Sequence, residues 1–179
     1  MGAITRALAN NITTGGVITS SGINNSSLSS VTALPSDVGG KVLQVVSTAK
    51  TGGFDTTATS DTAVTGLSLS ITPSSTSNKI YVIFIGTTSC QNIASYYGGM
   101  SIYRDSTRII GGQAGATTGS TGCDVNSSLA ILDTPNTTSA ITYQLYLKSE
   151  GNSSQVKVNQ PSGVVIDEKA TITAYEIAG

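Results

Sequence analysis

Residues 67–72 alternate without a break, with Leu67, Leu69 and Ile71 on one side and Ser68, Ser70 and Thr72 on the other. Strict period two sends one row of side chains into a core and the next into solvent, which is the pattern of a half-buried β-strand. A helix cannot use it, because a helical apolar stripe returns every three to four positions. The same alternation returns where Ile141, Tyr143, Leu145 and Leu147 interleave with Thr142, Gln144, Tyr146 and Lys148. Two such segments already commit much of the chain to sheet.

Shorter β-type runs fill the space around them. Residues 41–47, 125–132, 155–159 and 171–177 are rich in Val, Ile, Leu and Thr, and Val156 and Val158 are expected to point inward. Residues 96–104 and 108–111 read as a hairpin turning at Asp105-Ser106-Thr107. Residues 112–122, mostly Gly, Thr and Ser, read as a loop. The run Ile80-Tyr81-Val82-Ile83-Phe84-Ile85 is apolar at every position, so it reads as a strand covered on both faces, inside a sandwich or at a subunit contact. Pro73 and Pro135 sit in polar turn clusters that separate these runs. The expected fold is all-β: a jelly-roll-like β-sandwich of about 8–10 short strands over residues 41–179.

Residues 1–40 have a different texture. They carry only Arg6 and Asp37 as charges and are dominated by Asn, Thr, Ser and Gly. Single apolar residues recur every few positions, which suits an extended N-terminal arm lying on another surface better than a freely disordered tail. Ile4, Leu8, Ile12, Val17, Ile18 and Ile23 are the expected anchors of that arm, with Ile4, Leu8 and Ile12 sharing one face of a short helix. Pro35 and Gly39-Gly40 mark the boundary, giving an arm at 1–40 and a sandwich at 41–179.

Chemistry has little to work with. The chain has no His, and only 11% of its residues are charged. Proton transfer near neutral pH and most zinc sites rely on imidazole, so a building block or binder is expected rather than an enzyme. The acids are scattered and sit mainly at turns, where Asp bonds its own backbone. Asp55 and Asp61 stand six apart with hydroxyls between them, yet lack the Gly and distal Glu of a calcium loop. The Gly-rich stretch 111–119 has no Lys to complete a phosphate cradle. No catalytic residue, cofactor or metal is expected. A net charge of -1, with nine scattered basic residues, offers nothing to nucleic acid or an anionic membrane.

Other features are neutral. Six Asn-x-Ser/Thr sequons follow from the abundance of Ser and Thr, and the N-terminus lacks the continuous apolar core of a secretory signal, so glycosylation is not expected. Cys90 and Cys123 could bridge if their strands are neighbours, or remain two buried thiols. Tyr96 and Tyr97 have a binding flavour, with a core or oligomer-contact role expected ahead of a surface platform.

The stretch opening Ile4-Thr5-Arg6-Ala7-Leu8 and running to Asn25, the segment Thr65-Gly66-Leu67-Ser68-Leu69-Ser70-Ile71-Thr72-Pro73 with its continuation to Ile80, residues 132–143, and the terminal Thr171-Ile172-Thr173-Ala174-Tyr175 together resemble small jelly-roll virion proteins of tailed phages of aquatic bacteria. The likeness spans most of the chain, and its motifs are structural. It implies a trimeric jelly roll anchored to the particle by its N-terminal segment, with no shared chemical site. The expected function is a non-enzymatic virion protein, made in the host cytoplasm, that decorates or cements the capsid or forms a short head fibre. Its expected partners are itself, as a homotrimer, and the major capsid protein or other virion proteins. The alternative is a tail-fibre or baseplate tip that binds host surface glycan.

Overall fold

The computed structural model describes residues 42–91, 97–118, 121–151, 154–159 and 169–179. Ten strands follow one another: β1 (Val42–Thr51), β2 (Phe54–Thr56), β3 (Thr62–Ile71), β4 (Lys79–Gln91), β5 (Tyr97–Arg104), β6 (Thr107–Thr118), β7 (Thr121–Asp133), β8 (Ile141–Ser149), β9 (Gln155–Val158) and β10 (Lys169–Ile177). Every pairing is antiparallel.

The eight long strands form two four-stranded layers. One runs β1-β10-β4-β7 and the other β6-β5-β8-β3. Chain neighbours therefore tend to sit in opposite layers, and β10 returns to lie between β1 and β4. That winding is the jelly roll. β4 is the spine of the first sheet. One edge pairs with β7 from Ile80 to Cys90. The other edge is shared, with β10 along Lys79 to Ile85 and β9 along Thr88 to Gln91. β2 extends the sheet beyond β9. The tips of β6 and β7 pair at Thr117–Gly122 and Thr118–Thr121, so one hairpin links the two layers.

The inner rows meet as the alternation requires. Leu67, Leu69 and Ile71 from β3, with Tyr143, Leu145 and Leu147 from β8, face Ile80, Val82 and Phe84 from β4 and Ile172 from β10. Val156 and Val158 are fully buried, as expected. Gly86 lets the sheet close there, because a Cβ on it would lie 2.7 Å from the Ala170 Cβ. Gly115 turns at φ 68° against the β4 backbone, where any side chain would meet Ser89 and Cys90.

Three expectations need correction. Residues 112–122 are not a loop: β6 continues to Thr118 and β7 begins at Thr121. Gly and Thr pair well enough here because the hairpin partner supplies the ladder hydrogen bonds, so side-chain apolarity is not needed. The phosphate-cradle stretch is thus largely strand. Phe54–Thr56, read from sequence as part of a turn region, is a short strand held by β9. For the run 80–85 the described residues cover the inner face only, so it is not a strand buried on both faces inside this sandwich.

Candidate functional site

The outward row of β4 is Tyr81, Ile83 and Ile85, and that of β10 is Thr171, Thr173, Tyr175 and Ile177. Together with Val42 they line a shallow apolar depression on the outside of the first sheet. β7 extends it, with Leu132 directly opposite Tyr81 and Ala130 opposite Ile83. β1 extends it on the other side, with Val45 opposite Tyr175 and Ser47 opposite Thr173. Ile85, Val45 and Leu132 are each about half exposed, at 53%, 54% and 49%. Tyr81 and Tyr175 are register partners, their ring centroids 6.1 Å apart. The middle of the face holds no charge. Lys79 and Lys169 stand at the ends of its β4 and β10 rows.

The second sheet is built differently on its outside. Ser68 and Ser70 from β3 and Thr142, Gln144, Tyr146 and Lys148 from β8 form its outward rows. Gln144 Nε2 donates to the carbonyls of Val64 (2.7 Å) and Leu67 (3.2 Å), spanning the register break in β3. Tyr103 and Tyr146 pack with centroids 4.2 Å apart, and the Tyr103 hydroxyl donates to Asp61. That bond, with partial burial and the adjacent carboxylate charge, raises the Tyr103 pKa. Asp61 Oδ1 is buried, and none of the described residues donates a hydrogen bond to it.

Tyr97 opens β5 and is 55% exposed, a surface residue and not a core one. Tyr96 lies outside the described residues, as do the arm positions Ile4, Leu8, Ile12, Val17, Ile18 and Ile23. Asp55 and Asp61 are drawn to different partners, Gln155 and Tyr103. Among the described residues no three His, Cys, Asp or Glu side chains gather as a metal site would require. Cys90 pairs in register with Cys123 across β4 and β7, so the strands are neighbours, and Cys90 is a buried free thiol. Burial pushes its pKa up, partly opposed by a hydrogen bond with Ser154.

Sequence reasoning put no site residue on the apolar face. The signal was present in residues 80–85: a strand apolar at both odd and even positions must bury both faces or leave one bare.

No family model and no curated protein matches the chain. Among solved structures it is similar to PRD1 vertex protein P5, at 16% identity and a TM-score of 0.42, over 77% of this chain and 99% of that one. It is also similar to infectious bursal virus derived T=1 particles, at 14% identity and a TM-score of 0.38, and to the infectious bursal disease virus VP2 subviral particle, at 16% and 0.35. Each of these alignments covers 76% of this chain, but only 37% and 38% of the respective partner chains. The strand order by itself establishes the jelly roll.

Proposed function

We propose that this chain is a non-enzymatic structural protein of a phage virion. In this reading it decorates or cements the capsid, or forms a short head fibre, as a homotrimer attached through residues 1–40. The observation that carries the reading is a jelly roll with one broad apolar outer face, uncharged at its centre. Such a surface suits assembly, and a fold of this kind serves passive shells as readily as binding modules. The spaced apolar residues of the arm supply the attachment. Burying each contributes roughly 25 cal/mol per Å² before ordering costs. Three arms on one trimer add avidity without new contacts.

Deleting residues 1–30 tests the mechanism. The shortened protein should stay folded and trimeric but fail to co-sediment with particles lacking the native protein. Retained binding overturns attachment through the arm.

The glycan-binding alternative has one observation in its favour. The Tyr103–Tyr146 pair beside Asp61 places aromatic surface next to a carboxylate on the second sheet, a combination that sugars use. A glycan-array signal from the full chain that is lost in Tyr146→Ala would favour it.

A further inference from the structure

From the outer face of the first sheet we infer that copies of this chain pack on one another through the surface centred on Tyr81, Ile83, Ile85 and Tyr175. The inference rests on the homotrimer reading and adds the surface that builds it.

The two sheets provide an internal comparison. Both bury their inner rows in the same core, and both belong to one chain with one composition. Outside, β3 and β8 show mainly Ser, Thr, Gln and Lys, interrupted by Tyr146, while the outward row of β4 is Tyr81, Ile83 and Ile85, with Thr171 and Thr173 beside it on β10. Solvent exposure explains the first pattern and not the second, because an outward strand row gains nothing from isoleucine in water. Over residues 80–85 of β4 both rows are apolar, yet the described residues cover only one. The strand has the composition of one buried twice.

The size of the face fits a protein contact. Four strands at ~4.8 Å spacing, and about six residues at ~3.3 Å each, span roughly 400 Å² in projection. That is about half of the ~800 Å² that one partner gives to a standard interface, and the β1 edge beside it supplies further area. An apolar patch of this extent is the size of the largest on a typical soluble monomer, and such patches are often functional. Among the described residues no strand pairs with the outer side of β1, an edge of ten residues whose only charge is Lys50, with Val42 and Leu43 half exposed. Edges of that kind invite another chain unless they are covered.

The chemistry selects a second copy. A face without central charge gives an acidic or basic partner nothing to grip, and the hydroxyls that line it, from Tyr81, Thr171, Thr173 and Tyr175, stand without a carboxylate or amide in the lining. It fits a surface equally poor in charge. This chain, only 11% charged, carries that surface itself, and closed assemblies of identical chains are the common way to hide it.

The test is the mass of the full-length protein in solution by light scattering. The native chain should weigh three times its 18.1 kDa. Ile85→Arg combined with Leu132→Arg alters two half-exposed side chains, so the fold should survive with an unchanged far-UV spectrum while the mass falls threefold. Val45→Lys, at the margin of the face, is the milder variant and should make the mass depend on concentration. Thr142→Arg, on the outside of the second sheet, should leave the mass unchanged. The native mass should also hold from low salt to about 1 M, where the screening length is only ~3 Å. A trimer that persists in the Arg variants, or one that dissociates in high salt, overturns this surface and leaves the homotrimer standing. A native monomer overturns both.

Discussion

Asn78 and Glu176 meet inside the sandwich although 98 residues separate them, with Asn78 Nδ2 donating to Glu176 Oε1 at 2.5 Å. Glu176 holds the fourth inward position of β10, after Ala170, Ile172 and Ala174, and is only 1% exposed. A carboxylate there is tolerated because every approach brings a donor. The Ser74 backbone N–H (2.6 Å) and hydroxyl (2.8 Å) reach the same oxygen, and Gln44 Nε2 reaches the other at 2.5 Å. The turn before β4, the end of β10 and the edge strand β1 are thereby fastened at one point.

That point should make stability depend on pH. Burial pushes the Glu176 carboxyl pKa up, but the hydrogen bonds from Asn78, Gln44 and Ser74 outweigh it and bring the value down to about 2. The folded value lies below the unfolded one. The stabilisation is therefore complete above the ordinary glutamate range near ~4.3 and is lost as pH falls toward about 2. Glu176→Gln turns an amide N–H₂ toward these donors and should cost roughly 1–3 kcal/mol at pH 7. Denaturant melts at a series of pH values should show the gap between native and variant narrowing below pH ~4.5. A gap that ignores pH contradicts the assignment.

A second tie joins the layers. Arg104 of β5 places Nη1 at 2.8 Å from each carboxylate oxygen of Asp133 on β7, and the Tyr143 hydroxyl of β8 donates to Oδ2 at 2.6 Å. Burial, and then the bond to Asp133, raises the Tyr143 pKa far above its usual range, so the phenol stays a donor at any working pH. Asp133→Ala strands both partners and should cost about 3 kcal/mol. Tyr143→Phe removes one bond to a charged group and should cost about 1–2 kcal/mol. The double variant should lose less than the sum, since the two changes delete one shared interaction. Additive losses in urea melts at matched protein concentration would show that the groups are not coupled.

Cys90 should be chemically silent. It is fully buried, and desolvation raises its pKa, so little thiolate forms and reagents cannot reach it. In a Cys123→Ser background, labelling by a disulfide reagent should proceed at the rate of unfolding and accelerate at least tenfold in denaturant. Fast labelling of the native protein contradicts this burial.

The sandwich was readable wherever one face was apolar and the other polar. β3 and β8 follow the alternation of Leu67 to Thr72 and Ile141 to Lys148 residue by residue, because their outer rows stay in water. The tips of β6 and β7 were hidden, since Gly, Thr and Ser carry no facial pattern and the pairing is made by backbone alone. β2 is three residues long and exists because β9 lies beside it. Glu176 sits in an inward row where a strand pattern expects an apolar side chain, and its partners come from segments 98 to 132 residues away. The apolar face was half legible. Residues 80–85 announced a strand that seeks cover on two sides, but which side this chain leaves bare depends on the sheet order.

The most direct measurement is the position of this protein on purified particles, imaged in negative stain with a label at its C-terminus. A capsid decoration or head-fibre protein places the label over the head. Label confined to the tail tip, or absent from assembled particles, contradicts the account.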